Sequence, residues 1–225
     1  MKTKILAIFA CLLWGSAFAG AKIGFEYTTP LHLSGMRFML AGLLLIPFLI
    51  YQKIDWISNL KEWRYMLLFG FLQTFIQYGF FFMGLNKVPA AISAIIIGGG
   101  PFFVAVMAHF TMGNDRMSFR KILAIVLGMA GIVFISFAKG GSIHTDISFY
   151  YGVILLIISN IVGASTNIIV AKNRNKVSPV MLTAFANFSG GLILYIVSFF
   201  TEDWYVKPYS LEFYIAWIWL ALIPA

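Results

Sequence analysis

The sequence predicts an all-α, polytopic membrane bundle, and three observations carry that expectation. Of 225 residues, 61% are hydrophobic and only 11% are charged, whereas soluble domains carry about a quarter charged residues. Stretches free of Asp, Glu, Lys and Arg cover 5–21, 38–52, 65–86, 88–114, 122–138, 147–171, 177–201 and 213–225, and most approach the ~20 residues a helix needs to cross hydrocarbon. These stretches are too long for tilted strands of ~10 residues and show no polar alternation, so helices and not a barrel satisfy the backbone.

Taken in order, helices are expected at about 5–25, 31–51, 64–85, 88–112, 119–138, 149–171 and 179–200, with part of an eighth from about 211. The first opens on MKTK and contains Ala17-Phe18-Ala19, the outline of a secretory signal peptide. Removing it would shift the parity of every later span, so it is taken as a helix whose small residues pack closely. The longest connection, Gln52 to Trp63, is about a dozen residues, which leaves no room for a soluble domain among these spans.

Charge placement orients the bundle. With sides alternating from the N-terminus, eleven Lys and Arg fall on one side, in clusters at Lys2–Lys4, Lys53–Arg64, Arg116–Lys121 and Lys172–Lys176, against four (Lys22, Lys87, Lys139, Lys207) on the other. The positive-inside bias puts the N-terminus in the cytoplasm and accounts for the net charge of +8 without nucleic acid. Cys11 is the single cysteine, so neither a disulfide framework nor a cysteine metal site is expected.

An internal repeat sharpens the architecture. Pro30-Leu31-His32-Leu33 through Gly42-Leu43-Leu44-Leu45 recurs 149 positions later as Pro179-Val180-Met181-Leu182 through Gly191-Leu192-Ile193-Leu194. Five crossings per repeat is odd, so the second repeat enters from the opposite side and the two are inverted. The units are residues 1–138, with five helices, and 149–225, with two helices and part of a third. Symmetry would end the second unit near residue ~286, so it is expected to be about sixty residues short, by truncation or as a natural variant.

Leu13-Trp14-Gly15-Ser16, Pro30 with Gly35-Met36-Arg37-Phe38, Leu85-Asn86-Lys87-Val88-Pro89-Ala90, Pro101-Phe102-Phe103 and Leu127-Gly128-Met129-Ala130-Gly131-Ile132 together resemble the EamA-type branch of the drug/metabolite transporter superfamily. The resemblance implies a ten-helix fold of two inverted five-helix repeats in a bacterial plasma membrane. It also implies alternating access and export or exchange of small metabolites such as amino acids. Gly113-Asn114 stands where such proteins commonly carry Gly-Glu. The rival readings are a seven-helix receptor-like protein, disfavoured by the internal N-terminus, and an inactive truncated fragment.

Pathway candidates follow from polar or strained positions inside the spans. Trp14 and Ser16 sit deep in helix one, where an indole needs a partner or a cavity. Arg37 is an intramembrane charge, a functional hypothesis by default, set against snorkelling outward toward Glu26; Lys22 and Glu26 are spaced to pair with each other. Gln73 and Gln77 share one face of helix three; Asn160, Gly163 and Asn167 share one of helix six, and Thr183 and Asn187 one of helix seven. Such stripes mark faces turned to protein, by packing or by substrate contact. Gly98-Gly99-Gly100-Pro101 interrupts helix four and is the expected hinge.

All eight carboxylates lie in loops or at helix ends, which argues against a buried proton relay. The three histidines have no paired spacing for a metal, and nothing points to a cofactor or a membrane-embedded nucleophile. The partners expected are the lipid bilayer and a small-molecule substrate, not nucleic acid, with homo-oligomerisation left open.

Overall fold

The computed structural model describes residues 2–112, 147–203 and 207–222, plus single positions between 118 and 130, with side chains described from residue 11 onward. The described elements are α1 (Lys2–Phe25), α2 (Pro30–Leu44), α3 (Ile46–Tyr51), α4 (Trp56–Leu60), α5 (Trp63–Phe69), a π-helical segment (Gly70–Gln77), α6 (Tyr78–Lys87), α7 (Ala90–Gly98), α8 (Gly100–Thr111), α9 (Ile147–Lys172), α10 (Pro179–Thr201) and α11 (Leu211–Leu222). Consecutive elements form five spans long and apolar enough to cross a bilayer: Pro30–Tyr51, Trp63–Lys87, Ala90–Thr111, Ile147–Lys172 and Pro179–Thr201. Cys11–Phe25 and Leu211–Leu222 are shorter apolar helices. The chain is thus a helical membrane bundle. The expected fifth helix, 119–138, lies for the most part outside the described residues, as do the connections at Gly113-Asn114 and Lys139.

Two spans depart from the uniform helices expected. The second breaks at Leu45, because Pro47 has no N–H to bond back to residue 43 and its ring crowds the preceding turn. The third carries the π segment in its middle, eight residues containing both Gln73 and Gln77. Such segments are rare and occur frequently at functional sites.

The centre of the bundle is the antiparallel pair α2 and α10. Both start with proline, Pro30 and Pro179, whose fixed φ suits the first turn. They cross where neither has a side chain. A Cβ on Gly42 would lie 2.7 Å from the Phe188 nitrogen and 2.8 Å from the Ala184 oxygen; one on Gly191 would lie 2.8 Å from the Met39 nitrogen and 3.1 Å from the Gly35 oxygen. The two contacts are reciprocal, since 184 and 188 are the 149-residue counterparts of 35 and 39. Contact this close between backbones is what small residues permit in a bilayer, where dispersion and not hydrophobicity holds helices together.

Around this pair α9 packs along α6 and the π segment, and α1 packs along α11. Gly84 and Gly152 let α6 and α9 approach, each within 3.2 Å of the other's backbone or side chain if given a Cβ. A core of Phe18, Phe25, Phe38, Phe81, Phe82 and Phe213 fills the space between α1, α2, α6 and α11. Its rings meet edge to face, Phe25 on Phe82 at 5.9 Å and Phe18 on Phe81 at 5.6 Å, the arrangement their quadrupoles favour.

Each end of the central pair is tied by a cap supplied from elsewhere in the chain. The Glu202 carboxylate, just past α10, accepts from the Leu31 and His32 backbone N–H groups at 2.9 and 3.2 Å. At the opposite end the Asn59 Oδ1, on α4, accepts from the Ser178 N–H at 2.7 Å. First-turn N–H groups have no partner within their own helix, and Thr29 and Ser178 supply no side-chain cap.

Candidate functional site

The structure gathers part of the expected pathway set into one polar seam between the π segment, α7–α8 and α9. Thr166 Oγ1 donates to Gln73 Oε1. Ser159 Oγ donates to the Gln77 carbonyl at 2.9 Å, and the Gln77 amide lies against Gly163, whose missing Cβ would sit 2.6 Å from Nε2. Gln77 Oε1 is buried with no hydrogen-bond partner among the described residues, a costly state that a polar ligand or water would relieve.

One turn away, the seam meets the break in the fourth span. α7 ends at Gly98 and α8 begins at Gly100, with Pro101 in its first turn. Proline cannot donate to the preceding turn, so carbonyls of α7 are released. Gly99 N–H reaches the Ile95 and Ile96 carbonyls at 3.1 and 3.2 Å, and Asn160 Nδ2 donates to the Ile96 carbonyl at 2.6 Å. Asn160 Oδ1 faces Gly100, 3.2 Å from where a Cβ would stand. The four residues Gly98 to Pro101 and Asn160 therefore form one joint, in which a side-chain amide shares the Ile96 carbonyl with the Gly99 N–H.

Arg37 occupies a different place. It is 2% exposed, and its guanidinium lies 4.2 Å from the Phe38 ring centroid, 5.4 Å from Phe82 and 5.7 Å from Tyr78. It does not snorkel outward to Glu26, which is exposed; three aromatic faces replace water around the charge. Lys22, spaced to pair with Glu26, instead donates to the Asn86 carbonyl at 3.4 Å. Asn187, also buried, leaves its Nδ2 without a hydrogen-bond partner among the described residues, as does Thr74 Oγ1 on the π segment. Gly190, one turn from Asn187, packs on Thr74.

Trp14 and Ser16 form a third group on α1. Ser16 Oγ donates to the Leu13 carbonyl at 2.6 Å and accepts from Trp219 Nε1 of α11 at 2.9 Å. Trp14 is 38% exposed and rests edge-on against Phe18 at 5.3 Å. Asn167 is exposed on α9 and stands apart from Asn160 and Gly163.

The sequence reading missed Ser159, Thr166 and Trp219. The first two were findable, because Ser159 precedes Gly163 by four residues and Thr166 follows it by three, which is the spacing of one helix face. Trp219 had no such signal, since its partner lies 203 positions away. Among the described residues, no group of three or more His, Cys, Asp or Glu is placed to hold a metal.

Comparison with known proteins places this arrangement. A solved structure described only as a crystal structure of a protein superposes with a TM-score of 0.77 at 18% identity, covering 98% of this chain and 74% of that one; at that identity the likeness concerns the fold. The uncharacterized transporter YvbV of Bacillus subtilis is 26% identical over 212 residues, 94% of this chain and 68% of its own length. A WAT1-related chloroplastic protein of Arabidopsis thaliana is 26% identical over 84% of this chain and 46% of its own. A probable amino-acid metabolite efflux pump of Escherichia coli is 29% identical over 59% of this chain and 42% of its own. The model of the EamA-like transporter family matches residues 1–137, more than half of the molecule and the part that holds Trp14, Arg37, Gln73, Gln77 and the glycine–proline joint. This chain is a membrane transporter of the EamA-like transporter family.

Proposed function

We propose that the protein exports or exchanges small metabolites, amino acids among them, by alternating access, as half and more of a ten-helix fold with inverted repeats at 1–138 and 149–225. The observation that carries this reading is the reciprocal contact of Gly42 with Ala184 and Phe188, and of Gly191 with Gly35 and Met39. Two copies of one unit facing each other across a two-fold axis would make that contact with themselves. The pairing of α1 with α11 and of α9 with the third span fits the same operation, which exchanges spans one and six and spans three and eight. Inverted repeats of this kind enclose a midplane site.

In this reading the seam of Gln73, Gln77 and Asn160 faces the substrate during part of the cycle, and Gly98 to Pro101 bends as the repeats rock. The unpartnered Gln77 Oε1 and Asn187 Nδ2 are an acceptor and a donor for a polar, zwitterionic or amide-bearing solute. Trp14, Ser16, Arg37 and Asn167 line or support the route, and the N-terminus lies in the cytoplasm of a bacterial plasma membrane. The amino-acid class is supported by the relative named as a probable amino-acid metabolite efflux pump.

The test is export of a metabolite panel from cells expressing the chain and a form extended to the length of its relatives. Gln77→Ala and Trp14→Ala should alter which solutes leave the cell while membrane insertion is unchanged. Identical export profiles for both variants and the parent would reject the assignment.

A further inference from the structure

A groove of about 320 Å³ lies against the α2–α10 pair, lined by Gly42, Leu43, Leu49, Met181, Phe188 and Trp56 among other apolar residues. It lies beside the close α2–α10 crossing at Gly42 and Ala184, and Trp56 of α4 contributes to its lining. Its walls remain open: Leu43 is 47% exposed, Phe188 38% and Trp56 37%. No polar side chain other than the Trp56 indole lines it, which excludes a hydrophilic solute as its occupant.

The turn beside groove residue Leu49 adds a charge, for Ile54 N–H returns to the Leu49 carbonyl at 3.2 Å. Lys53, between groove residues Leu49 and Trp56 in sequence, is exposed and has φ 51°. It ends α3 in the left-handed conformation, where glycine or asparagine is the low-cost choice. Lys61, Arg64 and Lys176 belong to the same end of the bundle; of the nearby carboxylates, Asp55 is engaged in capping α4 through Ile57 and Ser58, and Glu62 precedes α5. Counting Lys53, Lys61, Arg64 and Lys176 against Asp55 and Glu62, the balance at this end of the bundle is positive.

We infer that the groove binds one acyl chain of an anionic phospholipid, with the headgroup phosphate held at Lys53 and the tail lying over Gly42 between Leu43, Met181 and Phe188. Trp56, an aromatic residue at the membrane interface, sits where glycerol meets chain. The occupant is a lipid and not a solute in transit, because the groove is lined by apolar residues and shares none with the Gln73–Asn160 seam. Bound there, the lipid would bridge the two central helices at the end opposite the Glu202 cap.

The purified chain in a neutral detergent should unfold several degrees higher with added dioleoyl phosphatidylglycerol, and show a smaller rise with dioleoyl phosphatidylcholine. Met181→Trp, which fills the groove, should abolish the rise for both lipids. Lys53→Glu, at an exposed position, should make the two lipids equal. No rise with either lipid, or a full phosphatidylglycerol preference in Lys53→Glu, would overturn the proposal, and the latter decides the matter even if Met181→Trp fails to fold. Disulfide cross-linking of Phe188→Cys chains to each other in a Cys11→Ser background would also overturn it, by assigning the face to a second copy.

Discussion

Glu202 and His32 lie 170 positions apart, yet the carboxylate of one accepts the backbone N–H of the other at 3.2 Å and that of Leu31 at 2.9 Å. A negative charge at a helix N-terminus satisfies donors that have no other partner and complements the helix dipole. Here the cap also joins the end of α10 to the start of α2. Glu202→Ala should therefore lower stability by about 1 kcal/mol, the ordinary worth of an N-cap, and Glu202→Gln by less. Thermal unfolding of the two variants in one detergent checks the order.

The glycines divide into two kinds. Ala at Gly42 or Gly191 would place a Cβ within 2.9 Å of backbone or side-chain atoms that cannot withdraw, and overpacking of this sort costs about 1–3 kcal/mol. Gly15 has nothing within 4 Å, so Gly15→Ala should be neutral or stabilising, helped by a helix-propensity gain of up to ~1 kcal/mol. Midpoints of chemical or thermal unfolding that failed to separate Gly42→Ala from Gly15→Ala would contradict the crossing geometry.

In the polar seam, Thr166→Val removes the donor to Gln73 and keeps the shape. Interhelical hydrogen bonds in membrane bundles average ~0.6 kcal/mol, so the loss should be of that size. The effect should shrink in a Gln73→Ala background, where Thr166 keeps only its bond to the Gly163 carbonyl at 2.9 Å, and a double-mutant cycle measures the difference.

Asp55 caps α4, outside the membrane spans. The Ser58 hydroxyl, 2.5 Å from Oδ2, and then the Ser58 and Ile57 backbone N–H groups hold its carboxyl below the usual carboxylate range. A depressed folded-state value means that the cap contributes above the ordinary aspartate pKa of ~3.9 and is lost as pH falls through the lower folded value. Ser58→Ala should raise the Asp55 titration toward the ordinary range, which carboxyl-resolved NMR titration in micelles would record. An unchanged midpoint would contradict the cap geometry.

Much of this architecture was legible from length and polarity alone. Spans from Pro30 to Lys87 and from Ile147 to Thr201 announce themselves because lipid forbids charge along ~20 residues, and the break at Gly98 to Pro101 follows from what proline cannot donate. The π segment was not legible: Gly70 to Gln77 reads as ordinary helix, and its contacts with α9 and α10 join positions far apart in the sequence. Arg37 illustrates the other limit. Its charge marked it, but its cage of Phe38, Tyr78 and Phe82 depends on where the third span meets the second, which local pattern does not encode.

The burial of Arg37 has a consequence for the energetics of transport. Its counterpart 149 positions on is Ala186, so the charge belongs to one half only. In the inverted-repeat cycle proposed above, two identical halves exchanging roles would give inward- and outward-open forms of equal energy, a degenerate pair with no resting preference. A cation carried by a single half lifts that degeneracy. If it shifts along the membrane normal as the halves exchange, voltage acts on it at about 2.3 kcal/mol per charge per 100 mV for a full crossing. In the proposed alternating-access cycle, a cation held by one repeat alone would give the cycle a polarity on which a membrane potential acts.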